Sequence, residues 1–429
     1  MKCDRYITGF GKLAIYTLVA IDVLARYALR PRDFGWSPIA YLRFLRRACR
    51  LLLTFWHNKV VRVANGYKLH LYLPAYPSPA FFYAIESKLV RRPPGPITVV
   101  FSMTKACAYK CPHCYQNRDG GPDLDEALLL QTARKVQDAG VAMFDIEGGE
   151  PFLRFPRLLR LVQSLDARSE IWVNTTGDRM EPEMLAQLKA SGLFGLFVSI
   201  HSPDPAKHEA FTGVPGSFQR ACDAVRQARA LDLAVAFNTC LSEEEVVNGD
   251  IGKVMELARQ LDADHIQLIH PKPAGTWLGR RDGMQRDERI IKGIRREHAC
   301  YNSRATADYP SLQAQVFEES ERFHGCTAGA VDRFYVNANG EVQPCEFLNL
   351  SFGNVNEEPF EQILGRMRSF FPVPCLDWLC CTQADAIYEL FQKRQLKRTP
   401  LPWSVTQQLV ERWNRGKPTP LYASLGIYS

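Results

Sequence analysis

Between residues 97 and 270, six short runs rich in β-branched and aromatic residues alternate with longer stretches whose apolar residues recur at helical spacing. The strand-like runs are 97–102, 142–147, 171–175, 194–200, 234–239 and 265–270. Amphipathic helices fit near 124–139, 157–166, 181–191, 217–230 and 242–261. Strands separated by helices become parallel neighbours, because the helix is the crossover and the crossover is right-handed. The expectation is an α/β protein, either a barrel or an open sheet, with its site at the C-terminal ends of the strands.

The loop after the first run reads Ser102-Met-Thr-Lys-Ala-Cys107-Ala-Tyr-Lys-Cys111-Pro-His-Cys114-Tyr, a C-x3-C-x2-C spacing. Three soft thiolates on one tight loop suit an iron–sulfur cluster. A four-iron cluster held by three thiolates keeps one iron open to a small molecule. A structural zinc site is the other reading, but zinc favours four ligands in paired C-x2-C units. His113, squeezed between Cys111 and Cys114, is badly placed to complete such a set. Thirteen cysteines in this chain suggest metal work or free thiols rather than a disulfide framework, and a low-potential cluster needs a reducing compartment.

This spacing resembles that of the radical S-adenosylmethionine (SAM) enzymes. The resemblance implies a partial (β/α)6 barrel, over residues 96–300, and a [4Fe–4S] cluster on Cys107, Cys111 and Cys114. The open iron would chelate SAM, and the resulting 5′-deoxyadenosyl radical would take hydrogen from an unactivated C–H bond. The second run ends in Asp145-Ile-Glu147-Gly148-Gly149-Glu150-Pro151. Alone this is an ordinary turn sequence, but after strand two it resembles the family's Gly-Gly-Glu-Pro motif, which implies that Gly148, Gly149 and Glu150 hold the methionine amino group. Ser199 matches a position that contacts the ribose or carboxylate of SAM, and Asn238 a polar strand end that contacts the cofactor. His113 stands where the family places a ring against adenine, and the backbone of 266–275 where adenine is paired. His201-Ser202 departs from the family's Asp-Gly, and His201 reads as a polar strand-end residue rather than an acid or base.

Further on, Cys326 and Cys345 bracket a hairpin centred on Asn339-Gly340, and Cys375, Cys380 and Cys381 follow. This pattern resembles the SPASM or twitch extension. The full pattern would carry two clusters, but the C-x4-C-C seen here implies one auxiliary iron–sulfur cluster within residues 320–385, with one of Cys380 and Cys381 spare. A zinc-ribbon closure or buried free thiols are the alternatives. Cys3, Cys49, Cys222, Cys240 and Cys300 lack ligand spacing and are assigned to structure, and residues 386–429 read as a helical tail.

Residues 1–60 hold 11 Lys and Arg against three acids, so this segment carries +8 of a net +7 and the rest is near neutral. That balance argues against a nucleic-acid partner. Lys12, Asp22 and Arg26 interrupt the apolar stretch 13–29, which makes a true span costly, and no cleavage site follows. In residues 1–58, a helix from Ser37-Pro38 would bear an Arg43, Arg46, Arg47 and Arg50 stripe beside an apolar face of Tyr41, Leu45, Ala48, Leu52, Phe55 and Trp56. That pattern suits either an anionic membrane surface or packing on the body. Residues 59–95 read as a hairpin, turning at Asn65-Gly66, and a Pro-rich linker. The whole points to a cytoplasmic radical SAM oxidoreductase or maturase, peripheral on the inner face of the membrane. The resemblance implies a flavodoxin or ferredoxin reductant and a ribosomal peptide substrate, while the basic amphipathic N-terminus suggests a lipid or other membrane-held substrate instead. The alternative is a membrane-docked iron–sulfur electron-transfer or scaffold protein without catalysis.

Overall fold

The computed structural model describes residues 5–428 apart from 65, 281–286, 375, 377 and 414–416. It begins with β1 (Tyr6–Ile7), α1 (Gly9–Ala28), α2 (Pro38–Thr54), β2 (Val60–Val63), β3 (Gly66–Lys68) and α3 (Pro79–Ile85). Ser37 caps α2 by accepting from Ala40 N, with Pro38 opening the helix, as the sequence predicts. Of the expected Asn65-Gly66 turn, Asn65 lies outside the described residues.

The alternating region follows as β4 (Thr98–Ser102), α4 (Glu126–Asp138), β5 (Met143–Glu147), α5 (Phe155–Ser164), β6 (Glu170–Thr175), α6 (Pro182–Ala190) and β7 (Leu193–Ser199). It continues with α7 (Pro205–Thr212), α8 (Ser217–Ala230), β8 (Ala234–Cys240), α9 (Glu243–Val247), α10 (Asp250–Gln260) and β9 (His265–Ile269). β4 to β9 lie side by side in sequence order, all parallel. The helix expected over 242–261 is two, because Gly249, at φ 76°, leaves the right-handed region between them.

The sheet extends past the expected six strands at both edges. After α11 (Glu288–Tyr301), β10 (Ser311–Ala314) pairs parallel with β9 and leads into α12 (Gln315–Glu318). Beyond it β11 (Arg333–Val336) pairs parallel with β4 and turns back as β12 (Val342–Gln343). Neither edge pairing has a local signal; Ser311-Leu-Gln-Ala314 holds one large apolar residue. The C-terminal part adds α13 (Phe360–Phe370), α14 (Leu379–Thr382), α15 (Ala384–Lys393), α16 (Trp403–Val410) and α17 (Pro420–Leu425).

The segment 59–95 is more than a linker. Val61, Val63, Leu71 and Ala75 pack into the barrel's N-terminal end against Met143, Trp172, Phe197, Ala234 and Ala236, and so plug it. Arg5 and Tyr6 tie this plug to the barrel rim: Arg5 Nε donates to Asp264 Oδ1 at 2.9 Å. A second tie is buried: Lys68 Nζ donates to Glu170 Oε1 at 2.6 Å, while Glu170 also accepts from Ala75 N and Trp172 Nε1. A third converges on Glu318, whose Oε2 lies 3.3 Å from His57 Nε2 and 3.5 Å from His70 Nε2, with His298 close by. Tyr72 N–H and Ala314 N–H donate to Nδ1 of His70 and His298, which sets both rings as Nε2–H tautomers. They offer protons rather than lone pairs, so the cluster is a carboxylate ringed by imidazoles and not a metal cage.

α2 corrects the expected membrane face. Phe44, Ala48, Leu51, Leu52 and Phe55 pack inward with Tyr27 of α1 and Phe81 of α3, and Leu45 lies half-buried against the same core. Of the apolar stripe read from the sequence, Ala48, Leu52 and Phe55 therefore belong to the core and Tyr41 and Leu45 are half-buried, while Trp56 stays exposed. Among the described residues no helix is long and apolar enough to cross a membrane.

Lys68→Met strands the Glu170 carboxylate without its cation in a buried setting. We expect about 3–5 kcal/mol of lost stability, read by denaturant unfolding.

Candidate active site

The loop bearing Cys107, Cys111 and Cys114 follows β4 and is held by the loop after β5. Met103 N donates to Glu147 O at 2.8 Å, Gly149 N to Thr104 O at 2.8 Å and Glu150 N to Ala106 O at 2.7 Å. The two strands thus keep pairing beyond their ends, up to the residue before the first cysteine. This approach explains both glycines. A Cβ at Gly148 would meet Thr104 O at 2.5 Å, and one at Gly149 would meet Cys107 Cβ at 2.6 Å. The glycines make room for the cysteine loop's backbone as well as facing the cavity beside it.

Burial pushes the Cys111 thiol up to about 12 and Cys114 up to about 11, and repulsion from the neighbouring cysteines adds to both. The three thiols are therefore close enough to act on one another. Their chemistry and loop fit a cluster whose positive irons displace the protons.

Glu150 is turned into the protein rather than toward the cavity. Its Oε1 accepts from Thr175 Oγ1 (2.9 Å) and Phe152 N (3.2 Å), and its Oε2 from Thr176 N (2.7 Å) and Thr176 Oγ1 (2.6 Å). Complete burial still raises its carboxyl to about 7. The group braces the β5 loop against the end of β6.

Beside the cysteine loop, at the C-terminal ends of the strands, an open cavity of about 790 Å³ is lined by Gly148, Gly149, His113, Ser199 and Asn238 among others. Five of the residues expected to contact SAM thus line one cavity. His113 packs on Phe211 with ring centroids 4.7 Å apart and on Trp277 at 5.9 Å, and burial lowers its pKa to about 4, so the ring is neutral. His201 also lines the cavity. Burial and the neighbouring imidazoles keep it neutral too, and its backbone N–H donates to His208 Nδ1. Asn238 Nδ2 donates to Asn174 Oδ1 at 3.4 Å, and Asn174 Nδ2 to Asp145 Oδ1 at 2.7 Å.

Residues with no sequence signal complete the cavity. Tyr115 Oη donates to Glu147, which also accepts from Gln116 Nε2 at 2.7 Å. Lys272 reaches the wall from beyond β9, with Nζ 3.7 Å from the centre of the Trp378 ring. Phe347, two residues after Cys345, lies 5.5 Å from the Tyr115 ring. Cys240, assigned to structure from the sequence, is also on the wall.

In the C-terminal region Cys345 is buried and Cys326 half-buried. The Cys380 thiol hydrogen-bonds Cys381 and feels Cys345 and Lys272. Cys380 and Cys381 are consecutive residues of the short helix α14 and lie in contact there. Cys375 lies outside the described residues.

Comparison with known proteins agrees with this geometry. Residues 101–251 match the Radical SAM superfamily and residues 326–372 match the iron–sulfur cluster-binding domain SPASM. An AdoMet-dependent heme synthase of Methanosarcina barkeri is 25 % identical over 289 residues, spanning 63 % of this chain and 82 % of that one. A PqqA peptide cyclase of Gluconobacter oxydans is 25 % identical over 304 residues, 67 % and 81 % of the two chains. The structure of Streptococcus suis SuiB bound to the precursor peptide SuiA superposes with a TM-score of 0.53 over 73 % of this chain and 76 % of SuiB, at 16 % identity, a likeness of fold. The chain is an enzyme of the radical SAM superfamily. More narrowly, it is a SPASM-bearing radical SAM protein that uses iron–sulfur clusters and SAM.

Gly149→Ala forces the two loops apart at Cys107. We expect the anaerobically reconstituted variant to lose most of the iron and absorbance of the first cluster while keeping its circular dichroism. Glu150→Gln turns an amide NH2 against either Phe152 N–H or Thr176 N–H. We expect about 1–3 kcal/mol of lost stability in thermal unfolding.

Proposed function

We propose that this enzyme removes a hydrogen atom from an unactivated C–H bond of a peptide, with an auxiliary iron–sulfur site assisting the oxidation or binding of that substrate. The observation that carries this reading is a single cavity lined together by His113 and Tyr115 of the first cysteine loop, Lys272 from beyond β9, and Phe347 of the C-terminal cysteine region. Peptide chemistry is supported by the PqqA peptide cyclase among the relatives.

Cys107, Cys111 and Cys114 would hold the first cluster, and Cys326 and Cys345, with Cys375, Cys380 or Cys381, the auxiliary one. When bound, the first cluster and SAM supply a carbon-centred radical after one electron from a flavodoxin- or ferredoxin-type donor. The chain's own residues position and shield. Backbone groups of Gly148 and Gly149, the Ser199 hydroxyl and the Asn238 amide offer polar contacts for the methionine and ribose portions. The neutral His113 ring, with Phe211 and Trp277 behind it, offers a flat wall for adenine. Glu150 acts as a positioning residue, through Thr175 and Thr176. Lys272, held over Trp378, places a cation between the cavity and the auxiliary cysteines.

A second reading is a lipid or other apolar substrate held in a membrane, favoured by the uncovered apolar face of α1.

We expect Cys107→Ala to abolish 5′-deoxyadenosine formation, and Cys345→Ala to keep forming it without product. Equal loss in both would remove the separate roles. Adding peptide and lipid fractions of host extract separately to the anaerobic assay decides the substrate. Stimulation by peptide supports the first reading, and stimulation by lipid alone replaces it with the second.

A further inference from the structure

Among the described residues, twelve large hydrophobic side chains are exposed, and all but Val247 lie between Phe10 and Trp56. Such clustering marks a surface that is covered in use. On α1 the outward residues are Phe10, Leu13, Ala14, Thr17, Leu18, Ile21, Leu24 and Ala25, an uncharged stripe along nearly five turns. Phe10 is 86 % exposed and Ile21 57 %.

The charges that forbid a span stay off this stripe, Lys12 and Asp22 turned to the body and Arg26, though exposed, laid against Phe82. Lys12 is buried and donates to Trp56 O, Asp22 accepts from Tyr76 Oη at 3.0 Å, and Arg26 lies 4.1 Å above the Phe82 ring. Lys12, Tyr16, Val19, Val23 and Tyr27 face the body. α1 is thus apolar outward and anchored inward, which suits lying in an interface rather than crossing it. α2 continues the surface with Ile39, Leu42, Leu53 and Trp56, and Trp36 stands 67 % exposed at the turn between the helices. Tryptophan at the edge of an apolar surface is the habit of the membrane interface.

The rim supplies the sign of the charge. Arg32, Arg43 and Arg46 are exposed, and among the described residues the structure gives them no ion pair. Arg43 and Arg92 crowd Arg47, whose guanidinium is satisfied only by the Gly426 carbonyl. An apolar stripe edged by unpaired arginines fits acyl chains bounded by anionic headgroups.

We propose that the outer face of α1 and α2 seats the enzyme on an anionic lipid bilayer as a monotopic protein. This inference stands apart from the identity of the substrate. The seat uses side chains that the core leaves unused, and not the Leu45, Ala48, Leu52 and Phe55 stripe, which packs inward.

The test is co-sedimentation of the full chain with vesicles of phosphatidylcholine alone and with added phosphatidylglycerol, beside analytical ultracentrifugation without lipid. The wild type should bind the anionic vesicles and bind the neutral ones more weakly. Leu18→Glu with Ile21→Glu should cut binding about tenfold or more, and Arg43→Glu with Arg46→Glu should also weaken it about tenfold. Leu18→Ala with Ile21→Ala provides a milder pair should the glutamates impair folding, and 5′-deoxyadenosine formation checks that the site is intact. Failure of the wild type to bind, or equal binding by the leucine and isoleucine variants, overturns the proposal. A wild-type dimer that Leu18→Glu with Ile21→Glu dissociates also overturns it, and gives the face to a second copy.

Discussion

The close approach of two backbones past the ends of β4 and β5 governs the site. Hydrogen bonds from Gly149 N and Glu150 N to Thr104 O and Ala106 O carry the strand pairing to the residue before Cys107. The contact exists because neither Gly148 nor Gly149 has a Cβ. It turns a cysteine-rich loop, which alone would be mobile, into an extension of the sheet. Glu150 secures the same loop from behind through four donors on β6 and its own turn. The arrangement is a rigid cysteine loop with its support built in, which is what positioning a reactive group demands.

Much of this was legible in the sequence. All six strand runs were placed within a residue or two of β4 to β9, because a buried parallel strand reads as a dense apolar run. Gly148, Gly149, His113, Ser199 and Asn238 were named from motif and strand end, and all five line the cavity. Less was legible where long-range pairing decides. β10 takes its strand form from the edge it joins, the hairpin expected at Asn339-Gly340 gives no hint that its first arm β11 pairs with β4, and Tyr115, Lys272 and Phe347 reach the cavity from loops whose paths no local pattern fixes. For Glu150 the motif implies a role toward SAM, and the structure adds that Thr175 and Thr176 donate to its two oxygens.

The N-terminal segment illustrates the limit of a helical wheel. On α2 an apolar stripe beside arginines reads equally as a membrane face or a core face, and contact with Tyr27 and Phe81 decides for the core. α1 has apolar residues on both sides, and only the direction of Lys12 and Asp22 distinguishes the packed side from the open one. A charge that seems to spoil an apolar helix is here the mark of its inner surface.

β4 belongs to two units at once. One edge pairs with β5, and the other pairs with β11 in the register Arg333 to Thr98 through Val336 to Phe101. The cysteine loop leaves its end at Ser102, and Cys345 follows the hairpin made by β11 and β12. The spacing between the two cysteine sets is therefore fixed by a ladder rather than by a linker. For anyone building chimaeras, a junction just before residue 326 would exchange the whole β11–β12 hairpin, and a graft that shifted it by one residue would turn its side chains to the opposite face. Electron traffic between two metal sites falls steeply with separation, and here that separation is a matter of strand register.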